Sequence, residues 1–118
     1  MTEPRFESIC DFDLLIPGRG AAALLGDGTQ VAVFRLHDDS LYAVSNRDPF
    51  MRANVISRGI VGDRGGEPVV TSPLLKQAFS LKSGVCLDDE TVALEVFAVE
   101  VVDGAVRVGA VSEVKAGA

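Results

Sequence analysis

What most constrains the fold of this chain is the spacing of its turn signals. Pro17-Gly18, Gly26-Asp27-Gly28, His37-Asp38-Asp39-Ser40 and Asp103-Gly104 separate short apolar runs, and no long amphipathic helical pattern lies between them. Segments this short are read as strands joined by hairpins, which implies an all-β chain folded as an antiparallel sandwich or barrel. The expected strands are Arg5–Cys10, with Phe6 and Ile9 inward, then Ala21–Leu25, Gln30–Leu36 and Leu41–Ser45. In the connection after the first strand, Leu14 and Leu15 are both expected to enter the core. Toward the end, Val92–Val102 reads as one long Val-rich strand, and Ala105–Val108 pairs back across the Asp103-Gly104 turn. In the middle, Arg52–Arg58 is the one segment with helical character. Gly59, Gly62, Gly65 and Gly66 punctuate a loop that Pro68 ends, and Val69–Ser72 and Ala78–Leu81 form two paired short strands.

At 118 residues the chain has room for one domain, which can bury something over ~60% of its unfolded surface. No apolar run approaches a membrane span, and the acidic N-terminus fits neither a secretory nor a transit signal, so the cytoplasm is the expected address. Cys10 and Cys86 show no CxxC spacing and are read as reduced structural thiols. The net charge of -6 argues against nucleic acid as a partner, but the charge is unevenly placed. Residues 46–84 hold six cations against three carboxylates, while the remainder of the chain is strongly acidic.

That basic stretch carries the most specific pattern in the chain. After Tyr42 come Asn46-Arg47, then Asp48, Pro49 and Phe50; further on stand Ser72, Pro73, Leu74 and Leu75, with Phe79 and Gly84 following. The spacing resembles the two ligand loops of a Rieske iron–sulfur domain, whose patterns are Cys-x-His and Cys-Pro-x-His with a Phe and a Gly at fixed distances after the second. Here Asp48, Phe50, Ser72 and Leu75 stand at the four ligand positions. A [2Fe–2S] cluster of that type is held by two thiolates and two imidazoles, and none of these side chains can replace them. The segments ANVISRGIVGDRGGEPVV and SPLLKQAFSL narrow the likeness further: nearly the whole chain, from about Phe6 to Val108, resembles the small subunit of the assimilatory NAD(P)H-dependent nitrite reductases, a Rieske-like family without the ligands.

The resemblance implies a Rieske-like base, residues 5–45 and 85–109, with an inserted lobe over residues 46–84. It implies that this chain carries no cofactor and no metal and is not catalytic alone. Its partner would be a large subunit carrying FAD, siroheme and a [4Fe–4S] cluster, where nitrite is reduced to ammonium in nitrate assimilation. The small subunit would act by docking and support, with no membrane or nucleic acid involved. The alternative is a Rieske-type electron carrier or the ferredoxin component of an oxygenase, against which the missing ligands count.

Other candidate sites are weaker. His37, the sole histidine, sits in a predicted turn beside Asp38 and Asp39, with no nucleophile to serve. Ser72 lacks a partner base and is read as structural. The run IVGDRGGEP has neither GxGxxG nor a Gly-Lys-Ser/Thr ending, so its glycines are read as serving a tight loop. Asp48, Asp63 and Glu67 could hold a hard cation only if they converged. Arg47, Arg52, Arg58 and Arg64 flank the apolar replacements and the glycine run, and are the residues expected to meet the partner. No catalytic residue is expected.

Overall fold

The computed structural model describes residues 6–109 apart from residue 75. Arg5, expected to open the first strand, and Leu75, at one of the four ligand positions, lie outside the described residues. The chain runs through β1 (Phe6–Asp11), β2 (Arg19–Leu24), β3 (Gln30–Arg35) and β4 (Leu41–Ser45), then the two-residue strands β5 (Arg47–Asp48) and β6 (Ala53–Asn54). There follow β7 (Ile60–Arg64), β8 (Glu67–Thr71), β9 (Ala78–Ser80), β10 (Val85–Cys86), β11 (Asp89–Ala93), β12 (Val96–Val102) and β13 (Ala105–Gly109). One six-stranded sheet has the order β1-β13-β12-β4-β3-β2, a five-stranded sheet the order β11-β10-β9-β8-β7, and β5 pairs with β6. All pairings are antiparallel, as the turn chemistry implied.

β3 is the wall between two cores. Its central residues Val31, Ala32, Val33 and Phe34 are all buried, so the strand lacks polar alternation. The period of two sends Val31 and Val33 to one side, against Leu15, Leu25, Phe97, Val106 and Val108. Ala32 and Phe34 face the other side, where Ile56, Val70, Phe79, Leu81 and Leu94 complete a core shared with the small sheet. Phe34 and Phe79 are fully buried there, each worth about 2 to 3 kcal/mol of apolar burial. The second core therefore bonds the lobe to the base.

Turn residues close the hairpins as their chemistry requires. Asp103 and Gly104 both take positive φ (52° and 80°), the conformation of a two-residue hairpin turn whose twist matches the strands. Thr29 N–H donates to the Asp27 carboxylate, and the Ser40 hydroxyl and N–H donate to Asp38, in turns built on their own side chains. These bonds hold both carboxyls below their usual range.

Four expectations fail. Leu15 is buried but Leu14 is 70% exposed, because a 3-10 turn over Phe12–Leu14 gives way to extended backbone at Leu15 and the two side chains diverge. Gly59 to Gly66 is not a loop. Ile60–Arg64 and Glu67–Thr71 pair as a hairpin, and Gly65-Gly66 alone make the turn, with φ of 59° and 92°. Arg52–Arg58 is helical only over Ile56–Arg58, since Ala53–Asn54 pairs with Arg47–Asp48. Val92–Val102 is broken at Leu94-Glu95, where Leu94 N–H bonds Gly84 O (2.7 Å) in the small sheet and Glu95 O accepts Ser45 N–H (2.8 Å) in the large one. The five-stranded sheet thus continues past Gly84 to Ala93 before the chain returns to the six-stranded sheet.

Candidate functional site

The lobe ends in two turns built alike. In the first, Asp48 C=O accepts Arg52 N–H (2.6 Å), and Pro49, Phe50 and Met51 lie between. In the second, Ser72 C=O accepts Lys76 N–H (3.1 Å), with Pro73 and Leu74 in the matching places. Arg52 and Lys76 each close their turn in the left-handed region, at φ 56° and 64°. A non-glycine residue there costs roughly 1–2 kcal/mol, so both turns hold a cation where glycine would be easier.

The two turns are joined through their first residues. The Ser72 hydroxyl donates to Asp48 Oδ2, both residues being buried. Asp48 Oδ1 also accepts the N–H groups of Phe50 (2.8 Å) and Met51 (3.2 Å). A carboxylate so far from water needs such donors, and here it organises one turn and ties it to the other. The positions expected to replace two thiolates are therefore bonded directly to each other.

Asn46, one residue upstream of Arg47, roots this assembly. Its buried side chain donates to Gln30 Oε1 (3.2 Å) and accepts Ser57 N–H (2.7 Å), while its N–H and C=O pair with Gln30 O and Ile56 N–H. The Asn-Arg pair was noted in the sequence only as a flank of the motif. Its double use by base and lobe shows only in three dimensions.

Phe50 is half-buried, its ring centroid 6.1 Å from that of Phe79 at an interplanar angle of 46°. It leans on the shared core, with exposed Pro49 and Met51 beside it. Phe50→Ala is expected to lower the unfolding free energy by about 1–2 kcal/mol, less than a fully buried Phe→Ala change. Urea denaturation checks this, and a shift under about 0.5 kcal/mol would mean the ring does not pack.

A [2Fe–2S] cluster of the Rieske type does not fit these residues. Asp48 and Ser72 satisfy one another across the gap between the loops, and Phe50 offers only carbon. The two thiols lie elsewhere: Cys86 is buried beside Phe79 in the shared core, and Cys10 is on β1. Burial, with Asp11 adding to it, pushes the Cys10 thiol up, so it stays protonated at neutral pH. His37 is exposed in the β3–β4 turn, as expected. Asp48, Asp63 and Glu67 do not converge: Asp63 accepts Gly66 N–H (3.1 Å) in its hairpin, and Glu67 accepts the Ser80 hydroxyl. Among the described residues, no three His, Cys, Asp or Glu side chains gather as a metal site.

The four arginines fall into three places. Arg47 and Arg52 flank a groove of about 250 Å³ beside the first turn, whose other wall includes Leu94 and Glu95. Arg58 lines a separate groove of about 440 Å³ with Arg19, a base residue that sequence position alone did not group with the lobe. Arg64, on the β7–β8 hairpin, stands 3.9 Å from Asp88 in an exposed pair. The tip around the first groove exposes Met51 and Leu74 (46% and 42%) with Arg47, Arg52 and Lys76 around them. No described helix is long and apolar enough to cross a membrane.

The chain matches the Rieske-like [2Fe-2S] domain family over residues 5–109. It is 44% identical over 104 residues to the nitrite reductase (NADH) small subunit of Salmonella typhimurium, covering 87% of this chain and 95% of that one. A nitrite reductase [NAD(P)H] large subunit of Klebsiella oxytoca is 43% identical over 104 residues, which are 88% of this chain but 11% of that one. Among solved structures, one described as an NADH-dependent nitrite reductase small subunit from Mycobacterium tuberculosis superimposes with a TM-score of 0.89 at 52% identity, covering 92% of this chain and 96% of that chain.

Proposed function

Because this chain belongs to the Rieske-like family of NAD(P)H-dependent nitrite reductase small subunits, we propose that it works in the cytoplasm as a cofactor-free subunit. It docks on a large subunit that reduces nitrite to ammonium in nitrate assimilation. In this reading the electron path from NAD(P)H through FAD, siroheme and a [4Fe–4S] cluster lies in the partner, as the family resemblance implies. This chain contributes no redox group and no catalytic residue.

The observation that carries the reading is the tip. Where a Rieske centre would bridge two loops, a buried Asp48–Ser72 hydrogen bond does so, which preserves the shape of the tip without an electron carrier. Around it, Arg52 and Lys76 stand at positive φ beside exposed Met51 and Leu74. Strained residues that present charge next to apolar surface support a recognition role. Arg47 and Arg52 are the first docking residues in this reading, with Arg58 and Arg64 contributing from the flanks. The Klebsiella oxytoca relative supports assembly, since there the matching region is part of a large-subunit chain.

The test is titration of the chain into purified large subunit. Arg47→Glu with Arg52→Glu should weaken association at least about tenfold and lower nitrite-dependent NAD(P)H oxidation, since reversed charges oppose the docked orientation. The melting temperature of the isolated chain should move little, as both arginines are exposed. Iron and acid-labile sulfide should be substoichiometric in the purified chain. A chelation-resistant Rieske spectrum would put the electron-carrier reading in place of this one, and binding indifferent to the reversals would remove the tip from the interface.

A further inference from the structure

Four strands form the outer edges of the two main sheets, and three are guarded. β1 carries Asp11 and a bulge between Ser8 and Cys10, while its Glu7 reaches across to accept the Gly26 N–H (2.9 Å) just past β2; β7 carries Asp63 and Arg64; β11 carries Asp89 and Glu90. Charges and bulges of this kind discourage pairing with another chain. β2 differs. After Arg19 it reads Gly-Ala-Ala-Ala-Leu, in unbroken register with β3. Two bonds fix which way its backbone faces: Leu25 N–H donates to Thr29 O (2.8 Å) across the hairpin, and Asn46 N–H donates to Gln30 O (3.0 Å) on the other side of β3. The alternation of an antiparallel ladder then turns the peptide groups of Ala21 and Ala23 toward β3 and those of Ala22 and Leu24 outward. Both outward residues are exposed, and no described backbone group pairs with them on that side.

An apolar ridge borders this edge. Leu14, Ile16 and Ile60 are 70%, 58% and 74% exposed. Leu14 and Ile16 are held outward by Arg35, which donates to Leu15 O (2.9 Å), stacks 4.1 Å from the Phe12 centroid and pairs with Asp39 at 2.9 Å. Two grooves, of about 170 and 440 Å³, meet at Arg19 and Gly20; Leu14 and Ile16 line the smaller and Ile60 the larger. The larger is lined by Arg19 and Arg58 and by no carboxylate. Apolar side chains pinned into solvent beside an open strand edge and a cationic groove have the composition of a site for strand addition.

We propose that the outward edge of β2 takes up an extended segment of the large subunit as an added strand, with apolar side chains against Leu14, Ile16 and Ile60 and a carboxylate between Arg19 and Arg58. The proposal rests on the reading that the chain assembles with a nitrite reductase large subunit, and it names a surface distinct from the Arg47–Arg52 tip. Charge points to the occupant: the groove between Arg19 and Arg58 holds no carboxylate of this chain and calls for an acidic segment.

Two substitutions test the edge. Ala22→Lys places a charge on it, and Ala22→Pro removes an N–H that β3 does not use. Each should weaken binding to the large subunit at least about tenfold. In the wild-type complex, amide hydrogen exchange at Ala22 and Leu24 should slow. If wild-type chain binds while Ala22→Lys binds equally well and those amides stay unprotected, the edge proposal falls and the parent reading stands. If the wild-type chain does not bind the large subunit, the parent reading falls and this one with it. A dimer of the isolated chain that Ala22→Lys dissolves would overturn the large subunit as occupant. Exchange protection needs no variant, so the proposal stays testable even if Ala22→Pro fails to fold.

Discussion

Gly84→Ala is expected to destabilise the chain by about 4 kcal/mol or more, enough to leave it largely unfolded or insoluble at 37 °C. Two costs add. The residue sits at φ 82°, where an L side chain pays roughly 1–2 kcal/mol. A Cβ added there would also lie 2.1 Å from the Leu94 carbonyl oxygen and 2.9 Å from Val96 Cγ2. Neither side can retreat easily, because Leu94 N–H donates to Gly84 O (2.7 Å) and Gly84 N–H donates to Ser80 O (2.8 Å). Leu94 itself belongs to the shared core. Urea unfolding monitored by circular dichroism checks the expectation, and a loss under about 1 kcal/mol would show that the two backbone segments are not locked together.

Asp48→Ala should cost about 3 kcal/mol, the second-largest effect foreseen. The change deletes the acceptor of the buried Ser72 hydroxyl and of the Phe50 and Met51 N–H groups, and each unsatisfied donor in a buried place is expensive. It also cuts the side-chain bond between the two tip turns. Asp48→Asn keeps an acceptor for Phe50 N–H and should cost distinctly less. Ser72→Ala removes one bond of the set, and the double variant should cost less than the sum of the singles because the two residues share that bond. Additive losses in this cycle would mean that the two turns are held independently. The association assay applied to Asp48→Asn then asks whether the tip must be rigid to dock.

The motif frame was legible because its spacing reports backbone constraints. Gly84 and Phe79 appeared in the sequence as fixed positions after a loop, and the structure supplies their causes: a positive φ against the Leu94 carbonyl, and a ring buried in the core that joins lobe to base. The alternation and turn dipeptides gave the hairpins β2–β3 and β3–β4 within a residue or two, and the Asp103-Gly104 turn between β12 and β13. Two of the expectations failed because strand pairing, which composition does not report, decided the outcome. The Gly-rich run pairs as a hairpin because β8 offers it a partner, and the Val-rich run breaks because Leu94 and Glu95 bond to different sheets.

From the sequence alone came the all-β class and the two-loop frame, which depend on which residues stand at which spacing, and, by resemblance, the family and the expectation that Asp48, Phe50, Ser72 and Leu75 stand at cluster-ligand positions. Tertiary structure alone decided how the two loops are joined. Asp48 and Ser72 are 24 residues apart, and nothing local in either loop requires a hydrogen bond between them. It also decided which charges act together, bringing Arg19 to Arg58 and leaving Arg64 beside Asp88. Charge counts run along the chain, but electrostatic partners are set by distances in space, and those exist only once the sheets have packed.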